Sequence, residues 1–269
     1  MQSLTRYVAH RSTQPARVEL PWRTLRDAEI DVLRGDTTMV AAKPGSGKSA
    51  LAMAFALQAQ VPSLYMCADT SPWTTSVRLG AATSTLRGER LTQAEMGDLA
   101  EREPDTAAAL LGASPHLAWE FNDAPTPERT ADTMNNYRLV HGHLPDLVVV
   151  DNLLDAVGSD AQTVGDEWGT YRRAMLAFRN LARDYDTAVM VLHHVSDSKD
   201  LGHPPPRAEI MGRVSQHAAT TLTVRPCPGG LQVAKVKARG SECDPSGQTF
   251  VTLGMDWAAM HAHDQVSVW

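Results

Sequence analysis

The sequence predicts an α/β protein built on a mostly parallel central sheet with helices on both faces. Two observations carry that expectation. Short apolar runs, among them Thr37–Ala42, Ser63–Ala68, Leu147–Asp151 and Thr187–Leu192, alternate with segments of helical character. Near-continuous apolar runs are what strands buried on both faces require. Second, a glycine-rich turn joins the first run to an uncharged helix, the local form of a strand–loop–helix unit.

Taken in order, residues 1–34 are mixed polar with scattered arginines and two prolines, and read as an N-terminal arm of low regularity. Residues 35–269 then read as one domain, because no shift in composition marks another boundary. Thr37–Ala42 is the first expected strand, and the helix after the glycine turn runs to about Gln60. Ser63–Ala68 is a second strand. Ser71 and Pro72 supply a cap and a first-turn proline for a helix that includes Val77 and Leu79. Leu91–Ala100 and Ala107–Leu111 look helical, Leu117–Phe121 extended, and Thr126-Pro127-Glu128 repeats the cap signature before a helix to His141. Leu147–Val150 is a buried strand closing on Asp151. Trp168, Tyr171, Met175, Phe178 and Ala182 recur at the spacing of one helix face. Thr187–Leu192, Thr220–Val224, Leu231–Arg239 and Thr249–Leu253 are the later expected strands.

Composition narrows the class. With 43% apolar and 21% charged residues, a chain of 269 residues is globular, neither disordered nor fibrous. Cys67, Cys227 and Cys243 stand far apart, which points to a reducing compartment rather than a disulfide scaffold. No apolar core of a signal peptide opens the chain. The uncharged stretch from Ser49 to Ala68 reads as a buried helix plus a buried strand, not as a membrane span. A net charge of −6 argues against a surface coated for nucleic acid. Yet Ile210–Ser241 holds no acid, while Arg213, Arg225, Lys235, Lys237 and Arg239 all fall within it. That segregation favours an anionic partner. The HxH pairs His141/His143 and His261/His263 lack a third ligand in view for a zinc site.

The glycine turn, Ala42-Lys43-Pro44-Gly45-Ser46-Gly47-Lys48-Ser49, fits the P-loop pattern with alanine in the first glycine slot. Small residues let backbone N–H groups wrap a triphosphate, and the helix that follows points its positive end at it. Lys43, Pro44, Gly45, Ser46, Gly47, Lys48, Ser49 and Ala50 form the candidate cradle. Lys48 would neutralise the β and γ phosphates, and Ser49 would ligate Mg²⁺. A second acid on the metal side belongs at the end of a neighbouring strand, where Asp151 stands.

Three further features follow in a fixed order: Ser63–Asp69 ends a strand with an acid, Val189–His194 ends one with polar residues, and Ala234–Gly240 is basic. With the P-loop, this order resembles the RecA-like motor domain of DnaB-type replicative helicases, most of all a short phage-type member. The likeness covers roughly residues 33–255. It implies that Asp69 activates the attacking water, in a position where the family normally has glutamate. It implies that His194 senses the γ-phosphate, where glutamine is usual. Lys237 and Arg239 match the basic pair that reaches into the ATP site of the next subunit, and Ser196–Arg213 the loop that holds single-stranded DNA in a central channel.

The resemblance implies an ATP- and Mg²⁺-dependent motor that translocates on single-stranded DNA and unwinds duplex, with catalytic Lys48, Asp69, His194, Lys237 and Arg239. It further implies a homo-oligomeric ring, of six in the family's manner, a primase or loader contact, and the host cytoplasm as location. About 35 residues precede the motor, so the N-terminal domain of longer helicases is expected to be absent. Two other readings stay open: a filament-forming recombinase or annealing ATPase, and an ATP-binding loader or adaptor without useful turnover. Residue by residue, Asp69 also fits a plain helix start, His193 and His194 a strand end, and Lys235, Lys237 and Arg239 the solvated face of a half-buried strand.

Overall fold

The computed structural model describes residues 16–121, 124–157, 167–196 and 200–265. Two short strands, β1 (Arg17–Val18) and β2 (Val32–Leu33), pair in a ribbon near the start. Nine more form one sheet: β3 (Thr37–Ala42), β4 (Ser63–Cys67), β5 (Leu117–Phe121), β6 (Leu147–Asp151), β7 (Ala188–His194), β8 (Thr220–Cys227), β9 (Gly230–Lys237), β10 (Val251–Asp256) and β11 (His261–His263). Their order across the sheet is β11-β10-β9-β8-β3-β7-β6-β4-β5. From β8 to β5 every neighbouring pair is parallel, and β9, β10 and β11 extend the β8 side antiparallel. β3, β6 and β7 are buried almost throughout, which is why their sequences show apolar runs instead of alternation.

Seven helices complete the described chain: α1 (Arg23–Asp27), α2 (Lys48–Gln58), α3 (Pro72–Leu86), α4 (Gln93–Arg102), α5 (Pro104–Leu111), α6 (Pro127–His141) and α7 (Glu167–Tyr185). One core lies between the sheet and α2, and the other packs α6, α7 and residues 210–218 against the opposite face. The expected caps form: Ser71 accepts from the Thr74 N–H at 3.2 Å, and Thr126 from the Arg129 N–H at 3.3 Å. The uncharged stretch after the P-loop becomes α2 and β4, both buried. No helix among the described residues is long and apolar enough to cross a membrane.

Several boundaries differ from the sequence reading. β7 and β8 run further, to His194 and Cys227, and β9 stops at Lys237, two residues short of Arg239. The low regularity expected of residues 1–34 needs correction over its described part. The β1–β2 ribbon brackets α1, and Val18, Leu20, Trp22, Leu25, Ile30 and Val32 enter the α2 core. The reason is pairing with the other end of the chain. The Trp22 indole N–H donates to Gln58 Oε1 at 3.1 Å and the Ala262 carbonyl at 3.0 Å, while Asp264 accepts from the Arg23 and Thr24 N–H groups opening α1. Scattered apolar residues without period give no sign of such long-range partners. Residues 1–15 lie outside the described residues.

Trp22 is 3% exposed and its ring lies 6.3 Å from that of Phe55 in α2. Trp22→Ala is therefore expected to cost about 3–5 kcal/mol of stability, the range for a large aromatic truncated in a core. Chemical denaturation would measure it; a loss below about 1 kcal/mol would show the segment to be a loose arm after all.

Candidate nucleotide site

The candidate site lies where β3, β7, β6 and β4 end, at the carboxyl edge of the parallel sheet. After Ala42 the chain turns through Gly45 (φ +71°) and Gly47 (φ +87°) into α2. Gly47 is required twice. Its backbone is in the left-handed region, and a Cβ there would lie 2.6 Å from the indole of Trp257, which packs beneath the loop from the β10–β11 turn. Lys48 opens α2 with its side chain buried, at the end of the helix where backbone N–H groups lack intrahelical acceptors.

Asp151 ends β6, two strands from β3, and is 2% exposed. The Tyr65 hydroxyl donates to its Oδ2 at 2.9 Å. Its Oδ1 is buried without a well-formed hydrogen bond. Burial pushes the carboxyl above the ordinary carboxylate range, and the Ser49 hydroxyl, the Tyr65 hydroxyl and the Lys48 charge pull it back. A buried carboxylate oxygen left open, facing a helix-start serine and a buried lysine, suits a hydrated divalent cation. Ser49 and Asp151 would hold Mg²⁺ there, and Lys43–Ala50 with the start of α2 would hold a polyphosphate.

Asp69 follows β4 on an exposed turn. It does not cap α3, a task Ser71 performs. Its charge reaches the same site, since it raises the proton affinity of Asp151, Asp155 and His194. His194 is half-buried opposite Ala42, and burial followed by the Lys48 charge holds its pKa below the ordinary histidine value. The P-loop, Asp69, Asp151 and His194 thus converge. Two contributors escaped the sequence reading. Tyr65 orients Asp151, and Asp155 joins the acidic cluster with its pKa raised by burial and then by Asp69 and Asp151. Tyr65 looked like any apolar strand residue; the second acid four positions after Asp151 was a signal available in the sequence.

Lys237 and Arg239 are placed elsewhere. β9 runs antiparallel to β8, so its end returns toward the start of β3. Arg239 meets Asp36, just before β3, at 3.5 Å. Six residues of strand, about 20 Å, separate that point from the chain's own P-loop. Lys237 is not on a solvated face: its ammonium donates to the carbonyls of Ser215 and Gln216, both at 2.9 Å, and to that of Ala218. Burial, followed by the charges of Arg207, Arg239 and Arg179, lowers its pKa to about 8. Lys235 instead donates to the carbonyls of Ala28 and Glu29. A register shift between Thr221 and Leu222 sets the two lysines on different neighbours. Of the Ser196–Arg213 loop, residues 197–199 lie outside the described residues; Arg225 pairs bidentately with Asp200 beside Lys43 and Ser46. Among the described residues no three potential ligands cluster around the HxH pairs or elsewhere.

The chain matches the family described as AAA domain over residues 8–200. It is 29% identical over 249 residues to the Gene 65 protein of Mycobacterium phage L5, covering 90% of this chain and 91% of that protein. With the Gene 65 protein of Mycobacterium phage D29 it shares 28% identity over 234 residues, covering 84% and 98%. Among solved structures it resembles a DnaB-like replicative helicase described with its interactions with primase. The TM-score is 0.77 at 13% identity, over 98% of this chain and 65% of that one. A second solved structure, an isolated ATPase domain, gives a TM-score of 0.72 at 11% identity, over 87% and 86%. At these identities the likeness is one of fold, and it bears out the RecA-like, DnaB-type architecture. The chain spans only about two thirds of the replicative helicase's length.

Asp151 yields a test with opposite signs in the free and the liganded protein. Its folded pKa lies above its unfolded one, so its contribution to stability is full below the unfolded value and is lost as pH rises through the folded value. Asp151→Asn is expected to stabilise the ligand-free protein at neutral pH and to lose that advantage in acid. The same variant is expected to weaken Mg²⁺ dependence of nucleotide binding roughly 10–100-fold. Thermal melts across pH, with and without Mg·ATP, would show both; equal gains at all pH values would contradict the assignment.

Proposed function

Because this chain belongs to the AAA domain family, we propose that it is an ATP-hydrolysing motor acting on single-stranded DNA, with each ATP site completed by a second copy of the chain. The observation that carries the reading is the split of the chemistry between the two edges of one sheet. The P-loop, Asp151, Asp69 and His194 share the carboxyl edge, while Arg239 sits at the other, out of reach of its own site.

On this reading Lys43–Ala50 bind the triphosphate, and Lys48 offsets the charge that shifts onto the transferring phosphoryl group. Mg²⁺, held by Ser49 and Asp151, would supply further charge neutralisation. Asp69 orients and deprotonates the attacking water, and the solvent-facing turn it occupies leaves room for one. His194 contacts the γ-phosphate from the end of β7. Arg239 enters from the neighbouring subunit. Its present partner favours this: an ion pair at 3.5 Å with side chains 46% and 29% exposed is worth only about 0–1 kcal/mol, so the guanidinium is easily given up to a phosphate. A closed ring of six and strand separation extend the same reading, as does a primase or loader contact.

Lys48→Ala is expected to abolish Mg·ATP hydrolysis. Arg239→Ala should bind ATP nearly normally yet lose DNA-stimulated hydrolysis by roughly 10³-fold, as for other arginine fingers. Mixing Arg239→Ala with Asp69→Asn should restore part of the activity, since some interfaces then hold both intact residues. Full DNA-stimulated turnover by Arg239→Ala alone would sink the shared site. Strand displacement measured beside turnover separates the motor from a filament-forming or non-hydrolysing relative.

A further inference from the structure

β7 carries a second histidine that the nucleotide chemistry leaves unused. His193 is 0% exposed. Strand alternation puts it on the sheet face of Val189 and Val191, toward α7 and the 3-10 turn Met211–His217, while His194 faces the other way. Its Nε2–H donates to the Met211 carbonyl at 3.1 Å, which makes Nδ1 the acceptor nitrogen, and Nδ1 has no partner. Burial keeps the ring neutral by pulling its pKa down to about 4. An aliphatic side chain would fill this space without an orphaned polar atom. What the imidazole adds is one directional bond between the sensor strand and Met211.

That bond ends on a constrained turn. Gly212 and Arg213 have φ of 67° and 55°, and a positive φ at arginine is strained. Trp168 of α7 closes over the turn: a Cβ on Gly212 would lie 2.6 Å from its ring. The rings of Trp168 and Tyr171 are 5.9 Å apart, and those of Tyr171 and His193 6.1 Å. Val195 bridges to Ile210, and the Ser196 N–H donates to the Glu209 carbonyl at 2.8 Å. The end of β7 and the turn are therefore joined on both sides of His193. In front of them lies a groove of about 660 Å³, walled by Pro44 of the P-loop, His194, Trp168, Met211 and Arg213.

We propose that His193 is a positioning residue that locks the Met211–Arg213 turn to the sensor strand, so that the phosphodiester backbone of a single strand held at Arg213 is felt at His194 and the P-loop. The proposal rests on the motor reading above. It requires coupling in both directions, because an effect of one site on binding at another is reciprocal.

The test compares the full-length protein with His193→Leu and His193→Gln, using oligothymidylate as the strand. His193→Leu is expected to melt within a few degrees of the wild type, to bind Mg·ATP with an unchanged Kd, and to hydrolyse it without DNA within about twofold. Its stimulation by oligothymidylate should fall by tenfold or more. His193→Gln, whose amide can donate to Met211, should recover most of the stimulation. Normal stimulation of His193→Leu overturns the proposal, and so does an equal fall of basal and stimulated rates in both variants. If His193→Leu does not fold, amide exchange on the wild type decides: a non-hydrolysable ATP analogue with Mg²⁺, without DNA, should slow exchange at Met211–Val214, and no change overturns the coupling. A wild type that hydrolyses ATP but ignores oligothymidylate overturns the DNA-motor reading itself; a stimulated wild type beside a normally stimulated His193→Leu overturns the coupling alone.

Discussion

Asp151 is a carboxylate taken out of water with one oxygen held by Tyr65 and the other left open, and much of the architecture follows from keeping it there. An isolated buried charge is unfavourable, so the site must bring compensation close. Ser49 and Lys48 provide part of it from α2. For them to do so, α2 must lie over the sheet with its first turn at the carboxyl edge, and that demands the tight glycine turn out of β3. Trp257 then fills the space behind Gly47, which ties the C-terminal hairpin to the loop. Tyr65 in turn is held by stacking on Trp119, with ring centroids 4.3 Å apart. The open oxygen is what this balance leaves over, and it is where a cation is needed.

The same sheet that gathers these groups keeps others away. A parallel sheet has two chemically distinct edges, and a strand that returns antiparallel carries its end to the wrong one for its own nucleotide. β9 does this, and so Arg239 reaches Asp36 while the P-loop lies at the far side. Lys237 and Arg239 are close in sequence but differ in task. Lys237 is occupied by the backbone carbonyls of residues 215–218 and steadies the turn that leads into β8, whereas Arg239 is held only by a solvent-exposed ion pair. An assembly that sets the basic edge of one copy against the phosphate edge of the next would use a residue that the single chain leaves loosely held.

Much of this was legible from the residues. Apolar runs marked β3, β4, β6 and β7 nearly to the residue, because strands buried on both faces need continuous hydrophobicity. Ser71-Pro72 and Thr126-Pro127 marked two helix starts, since capping is decided within one turn of chain. Lys43–Ala50 announced their chemistry because glycine conformation, helix start and lysine are local properties. Tertiary structure alone decided what depends on distant partners. Leu20 and Trp22 became core residues through Gln58, Ala262 and Asp264, far along or at the other end of the chain. The register shift between β8 and β9 set Lys235 and Lys237 on different elements, and Tyr65 became the orienting donor for Asp151. Local sequence can dictate how a segment bends and which of its faces is apolar. Which charge stands opposite which carbonyl is settled only when the strands are laid side by side.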